Sequence, residues 1–376
     1  MKRALGILMA AAVAMAPGRA AWATPSCSLA ALGEPCSQPA DTRAHRWDRR
    51  DAGAARSDLG FGLTRSPSLR APWLDSGAAP AWMAPQVAAV ARHERRWGSL
   101  AGLGAIYGAF ATWMYFAWYH DQPRLTGFAI GGDGYFGDNT YAGGADKLGH
   151  AWANAALTRG GAELLRAGGW RPGSAALISA GLSWSLFLFV EIKDGYYYQL
   201  SPGDLVANTA GAALGAAMTH WPALDRLLDV RVAYWPSAEY RSIIRGDFQG
   251  NERINSVNIA EDYSGQTYFL ALHLGALPRP RSTPGWLDTA LDYVDVGVGF
   301  HATKYKPDPP EDPPYVRHQR LFLGATIDLQ RVVDHALGGR RGRAARVTRA
   351  IGHGLLEFLA PPISLPVLST SRSPDR

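Results

Sequence analysis

Seven side chains within one apolar stretch carry the chemistry this sequence can offer. Asp146, Lys147 and His150 open the stretch, Glu191 and Asp194 follow, and Asp204 and Asn208 close it. They supply carboxylates, an imidazole, an ammonium and an amide, a set able to bind a metal or to move protons. Ionisable groups in apolar helices are costly to desolvate, so they pair with one another, line a wet cavity or do chemistry. Asp146, His150 and Asn154 stand at i, i+4 and i+8, on one face of a helix. Glu191 and Asp194 are i, i+3 neighbours. The same residues also suit a purely structural role: Lys147 beside acids makes a self-neutralising network, and Asp146 and Asp204 sit where a helix start favours negative charge. On the residues alone the structural network leads, with a catalytic or metal site and a ligand cavity as the alternatives. The zinc-protease spacing His-Glu-x-x-His and the nucleophile elbow Gly-x-Ser-x-Gly do not occur. Neither a cofactor nor a resident metal is expected.

The elements that must position these groups read as helices. From Gly98 to Tyr119 no charged residue appears, a run long enough to cross a bilayer. It contains Gly104-x-x-x-Gly108, which permits close helix approach. The glycine-rich loop over 121–145 lacks the Lys-Ser/Thr or fingerprint helix of a phosphate cradle and reads as a connection. A second helix is predicted from Asp146 to Ala167, with Gly168-Gly169 ending it. A third spans Pro172 to Asp194 and is uncharged through Val190. A fourth starts after Ser201 as N-cap, with Pro202 at the first helical position. On it Asp204, Asn208, Gly211 and Gly215 recur at spacings that share one buried stripe. In an up-down bundle the three polar signatures then meet at one end.

The order of these signatures is familiar. Asp146-Lys147-x-x-His150, a helix end bearing Glu191, and Ser201-x-x-Asp204-x-x-x-Asn208-x-x-Gly211 together resemble the YfiM-like family of predicted periplasmic lipoproteins, a domain of unknown function. More distantly they resemble the VanZ-like membrane proteins. The likeness covers roughly residues 95 to 275, and Asp262-Tyr263-Ser264-Gly265-Gln266-Thr267-Tyr268 carries it past the bundle. It implies an architecture and an envelope address rather than an activity. One departure is visible: Cys27 follows Ala23-Thr24-Pro25-Ser26, not the Leu-x-x-Cys box of a lipidated chain.

The flanking sequence agrees with export. Lys2 and Arg3, the apolar Ala4–Ala16 and the small-x-small Ala21-Trp22-Ala23 read as a cleavable signal peptide over 1–23. Its removal takes away Lys2, Arg3 and Arg19, so the net charge of +6 falls to +3. That mild balance, without a recognised motif, gives no argument for nucleic acid. Cys27 and Cys36 form a close-spaced pair, a disulfide candidate in an oxidising compartment. Residues 24–95 read as a low-complexity, disordered arm with one short helix near Ala84–Arg96.

After Pro222 the pattern changes. Tyr263–Leu274, Tyr293–Lys304 and Arg320–Arg331 alternate like strands, with Pro307–Pro314 as a turn between the last two. Three or four strands cannot close a barrel, so an open antiparallel sheet is expected. The segment Arg340–Leu359 is basic and partly amphipathic. The resulting expectation is an α+β chain: a membrane-associated four-helix bundle over 96–222, a small antiparallel β-rich domain over 223–340, and a basic helix and tail over 341–376. Membrane lipid is the expected partner, in an exported, periplasm-facing location. A non-catalytic structural or binding role leads. The alternatives are an envelope enzyme acting on a lipid or cell-wall precursor through His150, and a module binding a hydrophobic ligand.

Overall fold

The computed structural model describes residues 84–132, 134–137, 140–248, 259–307, 315–337, 342–360 and 365–373. The expected signal peptide, the Cys27–Cys36 pair and most of the Pro307–Pro314 turn lie outside them. Helix α1 runs Ala84–Met114 and passes into a π-helical turn, Tyr115–Tyr119. It therefore begins well before the charge-free run, absorbing the short helix expected at Ala84–Arg96. A glycine-rich connection leads to α2 (Ala145–Ala167), then α3 (Pro172–Tyr197) and α4 (Pro202–His220). Pro172 and Pro202 occupy first-turn positions, where the missing N–H costs nothing. The Ser201 hydroxyl accepts from the Asp204 N–H at 3.2 Å, as an N-cap should.

Two of these helices are apolar and long enough to span a membrane, His93–Tyr119 and Pro172–Tyr197. Both leave large apolar side chains exposed, including Ile106 and Phe116 on the first and Leu177 and Phe189 on the second. Exposed aromatic residues stand at both ends of the bundle: Trp97 and Trp221 at one, Tyr115, Phe116 and Tyr198 at the other. Such paired belts suit two membrane–water interfaces.

The bundle is held by small residues, though not by all those expected. A Cβ at Gly211 would collide with the Ala151 backbone, and one at Gly215 with Ala155 and Thr158. These two glycines let α4 lie directly on α2. Gly104 and Gly108 make no such approach, for nothing lies near where their Cβ atoms would be. Leu103 and Tyr107, one position earlier and about a quarter-turn around the helix, are the buried pair that meets Ala162, Leu165 and Ala175. The close contact there comes from Gly161 of α2, whose Cβ would strike Ser179 and Leu103.

After a short helix α5 (Pro222–Leu227), strand β1 (Leu228–Tyr234) begins the sheet. Helix α6 (Ala238–Arg245) precedes β2 (Gln266–His273); α7 (Gly285–Leu291) precedes β3 (Val294–Thr303) and β4 (His318–Ile327). Then come α8 (Leu329–Leu337), α9 (Arg343–Leu356), β5 (Leu359–Ala360) and β6 (Leu365–Arg372). The strand order is β5-β1-β2-β3-β4-β6. The sheet is thus larger than the expected three or four strands, and mixed rather than wholly antiparallel, because β5 pairs parallel to β1. The segment expected as a basic helix and tail is a helix followed by two sheet strands. Strand β6 escapes sequence reading because Pro366 interrupts it, which only an edge strand tolerates.

One sheet face packs against α2. Val232, Tyr268 and Phe300 form a cross-strand row that, with Ala302, packs with Ala145, Leu148 and Trp152. The next row on that face, Leu270, Val298, Leu323 and Leu368, is exposed. On the opposite face Phe269 and Phe322 lie over Gly297 and Gly299, filling the space side chains would take.

Candidate functional site: a buried ionic cluster at one end of the bundle

The starts of α2 and α4 and the end of α3 do converge. Asp146, Lys147, Glu191, Asp204 and Asn208 are buried, and His150 keeps only 16% of its side chain exposed. The Lys147 Nζ lies 2.8 Å from Asp204 Oδ1 and 3.4 Å from Asp146 Oδ2. Asp146 Oδ1 in turn accepts a 2.6 Å hydrogen bond from the Tyr263 hydroxyl, just before β2. The cluster therefore joins the bundle to the β-rich part of the chain.

Asn208 is the hub of the remaining bonds. Its Oδ1 accepts from His150 Nδ1 at 3.0 Å and from Asn154 Nδ2 at 2.7 Å, while its Nδ2 donates to Glu191 Oε1 at 3.4 Å. Asn154 Oδ1 accepts from Ser183 of α3 at 3.0 Å. The Ser201 N–H donates to Glu191 Oε2 at 3.4 Å. The His150 ring stands edge-on against Phe187, with centroids 5.5 Å apart. Asp194 is the one expected member outside this web. It accepts from the Tyr119 hydroxyl at 2.8 Å and so ties α3 to the end of α1.

Electrostatics follow from this packing. Burial would depress the His150 pKa, but the carboxylates of Asp146, Asp204 and Glu191 outweigh it and lift the value to about 9. The imidazole is then a cation at neutral pH, with both ring nitrogens donating. Three carboxylates face two cations, and the shortfall falls partly on Asp204. Burial and the Asp146 charge push its pKa up to about 6, against the pull of His150 and Lys147. Ligand atoms of Asp146, His150 and Asp204 lie within 4.8 Å of one another, close enough to hold a metal ion. The Lys147 ammonium already bridges two of the three, and a metal ion would have to displace both that ammonium and the imidazole proton.

A second buried cluster, unforeseen in the sequence, lies on the opposite sheet face. His273 Nε2 donates to Asp229 Oδ2 at 3.0 Å and Nδ1 to Asp295 Oδ1 at 2.7 Å, with Asp328 Oδ2 at 3.5 Å. Arg231 bonds Asp229 and reaches Asp295 Oδ2 at 2.9 Å. Arg159 from α2 approaches Asp229 at 3.5 Å and also pairs with Asp225 and Glu357. Burial opposes charge on His273, yet its bonds to Asp229, Asp295 and Asp328 raise the pKa to about 11. Asp229 and Asp328 go the other way: burial would raise them, but His273 and neighbouring cations hold both below the ordinary carboxylate range. The sequence signal was the parity of Asp229 and Arg231 in β1. Their alternation with Val230 and Val232 resembles a solvated strand face, so only strand pairing reveals the cluster.

Residues 132–220 match the family described as Predicted periplasmic lipoprotein (DUF2279). The match runs from the glycine-rich connection to the end of α4, and so contains the whole bundle half of the ionic cluster. No curated protein and no solved structure matches the chain significantly. The family description and the two apolar helices agree on an exported, membrane-associated chain that faces the periplasm.

Proposed function

We propose that this chain is a non-catalytic envelope protein whose helical bundle is seated in a membrane. In this reading the ionic cluster locks α2, α3 and α4 together and bolts the β-rich part to them through Tyr263. One observation carries it: the Lys147 ammonium sits between Asp146 and Asp204 and takes the place that a metal ion on those two carboxylates would need. Loss of one partner from a buried pair arranged this way leaves an uncompensated charge and is strongly destabilising. The wider likeness to VanZ-like membrane proteins and a cleaved signal peptide belong to the same reading. The mature chain then begins near Thr24, which mass spectrometry of the envelope form would check.

The second reading is an envelope enzyme acting on a lipid or cell-wall precursor through His150. The residual exposure of that ring, beside three carboxylates, is what favours it. His150→Ala separates the two when melting temperature and cellular complementation are measured together. The structural reading expects an unstable, scarce protein. A stable His150→Ala protein that fails to complement would establish the enzyme reading in its place.

A further inference from the structure

At the cluster end of the two apolar helices, α1 and α3 leave an open groove of about 310 Å³ between them. Ala111, Met114, Phe189 and Val190 line it with apolar surface, and Lys193 closes one part of it. The Lys193 ammonium stands over three tyrosine rings, 4.8 Å from the centroid of Tyr197, 5.5 Å from Tyr119 and 5.7 Å from Tyr115. Among the described residues it has no acidic partner. The nearby Asp194 carboxylate is engaged by the Tyr119 hydroxyl. A second cation repeats the pattern at the same end: Arg124 lies 4.5 Å over the ring of Tyr196, also without an acid among the described residues. The backbone bond from Leu125 to Tyr196 holds the Arg124 loop to the end of α3.

We propose that this groove is a specific site for an anionic phospholipid, with an acyl chain between α1 and α3 and the phosphate on Lys193. The inference rests on the membrane reading above and names the lipid class it would select. Three features on one surface point to that ligand. An apolar groove between two exposed apolar helices takes a hydrocarbon chain. An aromatic belt marks the depth of the headgroups. A cation held by ring faces and not by a carboxylate keeps its full charge available to an anion. Free phosphate would gain nothing from the groove, and a zwitterionic lipid would bring its own ammonium against Lys193.

The test uses the full chain in mild detergent, with native mass spectrometry reading the lipid retained. The probes are phosphatidylglycerol and phosphatidylcholine of identical acyl chains, and inorganic phosphate as competitor. Wild type is expected to retain phosphatidylglycerol preferentially. Lys193→Gln should weaken that retention about fivefold, since one basic side chain at an anionic surface is worth about 1 kcal/mol. Lys193→Arg should keep it. Thr112→Trp, which fills the groove from an exposed position, should reduce retention of both lipids. Equal retention of the two lipids by wild type overturns the proposal whether or not any variant folds. So does a folded Lys193→Gln protein with unchanged preference, or full displacement by millimolar phosphate. Recovery of the chain as a detergent-free soluble monomer would instead overturn the membrane reading beneath it.

Discussion

The two buried ionic clusters solve the same problem with different currencies of connection. In the bundle, three carboxylates share one lysine and one histidine, and a neutral amide, Asn208, links them across three helices. In the sheet, His273 and Arg231 each bridge Asp229 and Asp295, with Arg159 arriving from α2. The bundle cluster is short of positive charge, and Asp204 accordingly holds its proton to a higher pH than an ordinary aspartate. The sheet cluster is better balanced, and Asp229 and Asp328 lose theirs more readily. The lesson is that burial alone does not set the sign of a pKa shift; the number of cations brought within reach does.

The sharpest break of this comparison is Asp295→Ala. It removes one of the two carboxylates that Arg231 and His273 share, at a position with no solvent exposure, and leaves both cations on Asp229. A loss of about 3–5 kcal/mol is expected, read by chemical denaturation of the detergent-solubilised protein. Lys147→Met comes next, at about 3 kcal/mol, because it leaves the His150 imidazolium as the one countercharge the cluster offers to Asp146, Asp204 and Glu191. Adding Asp204→Asn to it should recover much of the loss. Absence of recovery would mean that Lys147 acts on something other than these carboxylates.

The pH dependence distinguishes the clusters by range. His150 and His273 are both raised above 6.5, so each contributes stability fully below that pH and loses it as pH rises through its folded value. The His150 share should be exhausted near pH 9 and the His273 share near pH 11, so the two losses occupy different pH ranges. His150→Gln should flatten the melting-temperature profile only up to pH 9; His273→Gln should flatten it throughout. Asp204 acts in the same sense at lower pH, since its raised pKa means stability lost as pH rises from the ordinary aspartate range to about 6. The smallest effect belongs to Tyr263→Phe. Removing the hydroxyl that donates to Asp146 should cost about 1.5–3 kcal/mol, as for hydrogen bonds to charged groups. Its diagnostic readout is faster hydrogen exchange in β2, with α3 and α4 unchanged.

Much of the bundle was legible in advance because its signals are local. Charge-free runs, prolines at first-turn positions and a Ser N-cap mark α2, α3 and α4 to within a few residues, and helical periodicity puts Asp146, His150 and Asn154 on one face. Even so, local pattern misplaced one contact: Gly104-x-x-x-Gly108 offers a close approach that α1 does not make, because Leu103 and Tyr107 are the residues turned inward. It also grouped Asp194 with the cluster; the turn of α3 gives that carboxylate the Tyr119 hydroxyl as its hydrogen-bond donor, while its charge still acts on Glu191.

What the sequence determined by itself is the set of groups that needed partners, since desolvation makes a lone charge in an apolar helix untenable. What only tertiary structure decided is which partner each one found. Tyr263 reaches Asp146 across 117 positions, and Arg159 meets Glu357 across 198. The six-stranded sheet itself depends on pairings such as β1 with β5 and β4 with β6. No local periodicity encodes such distances, because strand register and helix packing are set by the whole buried surface and not by any one segment.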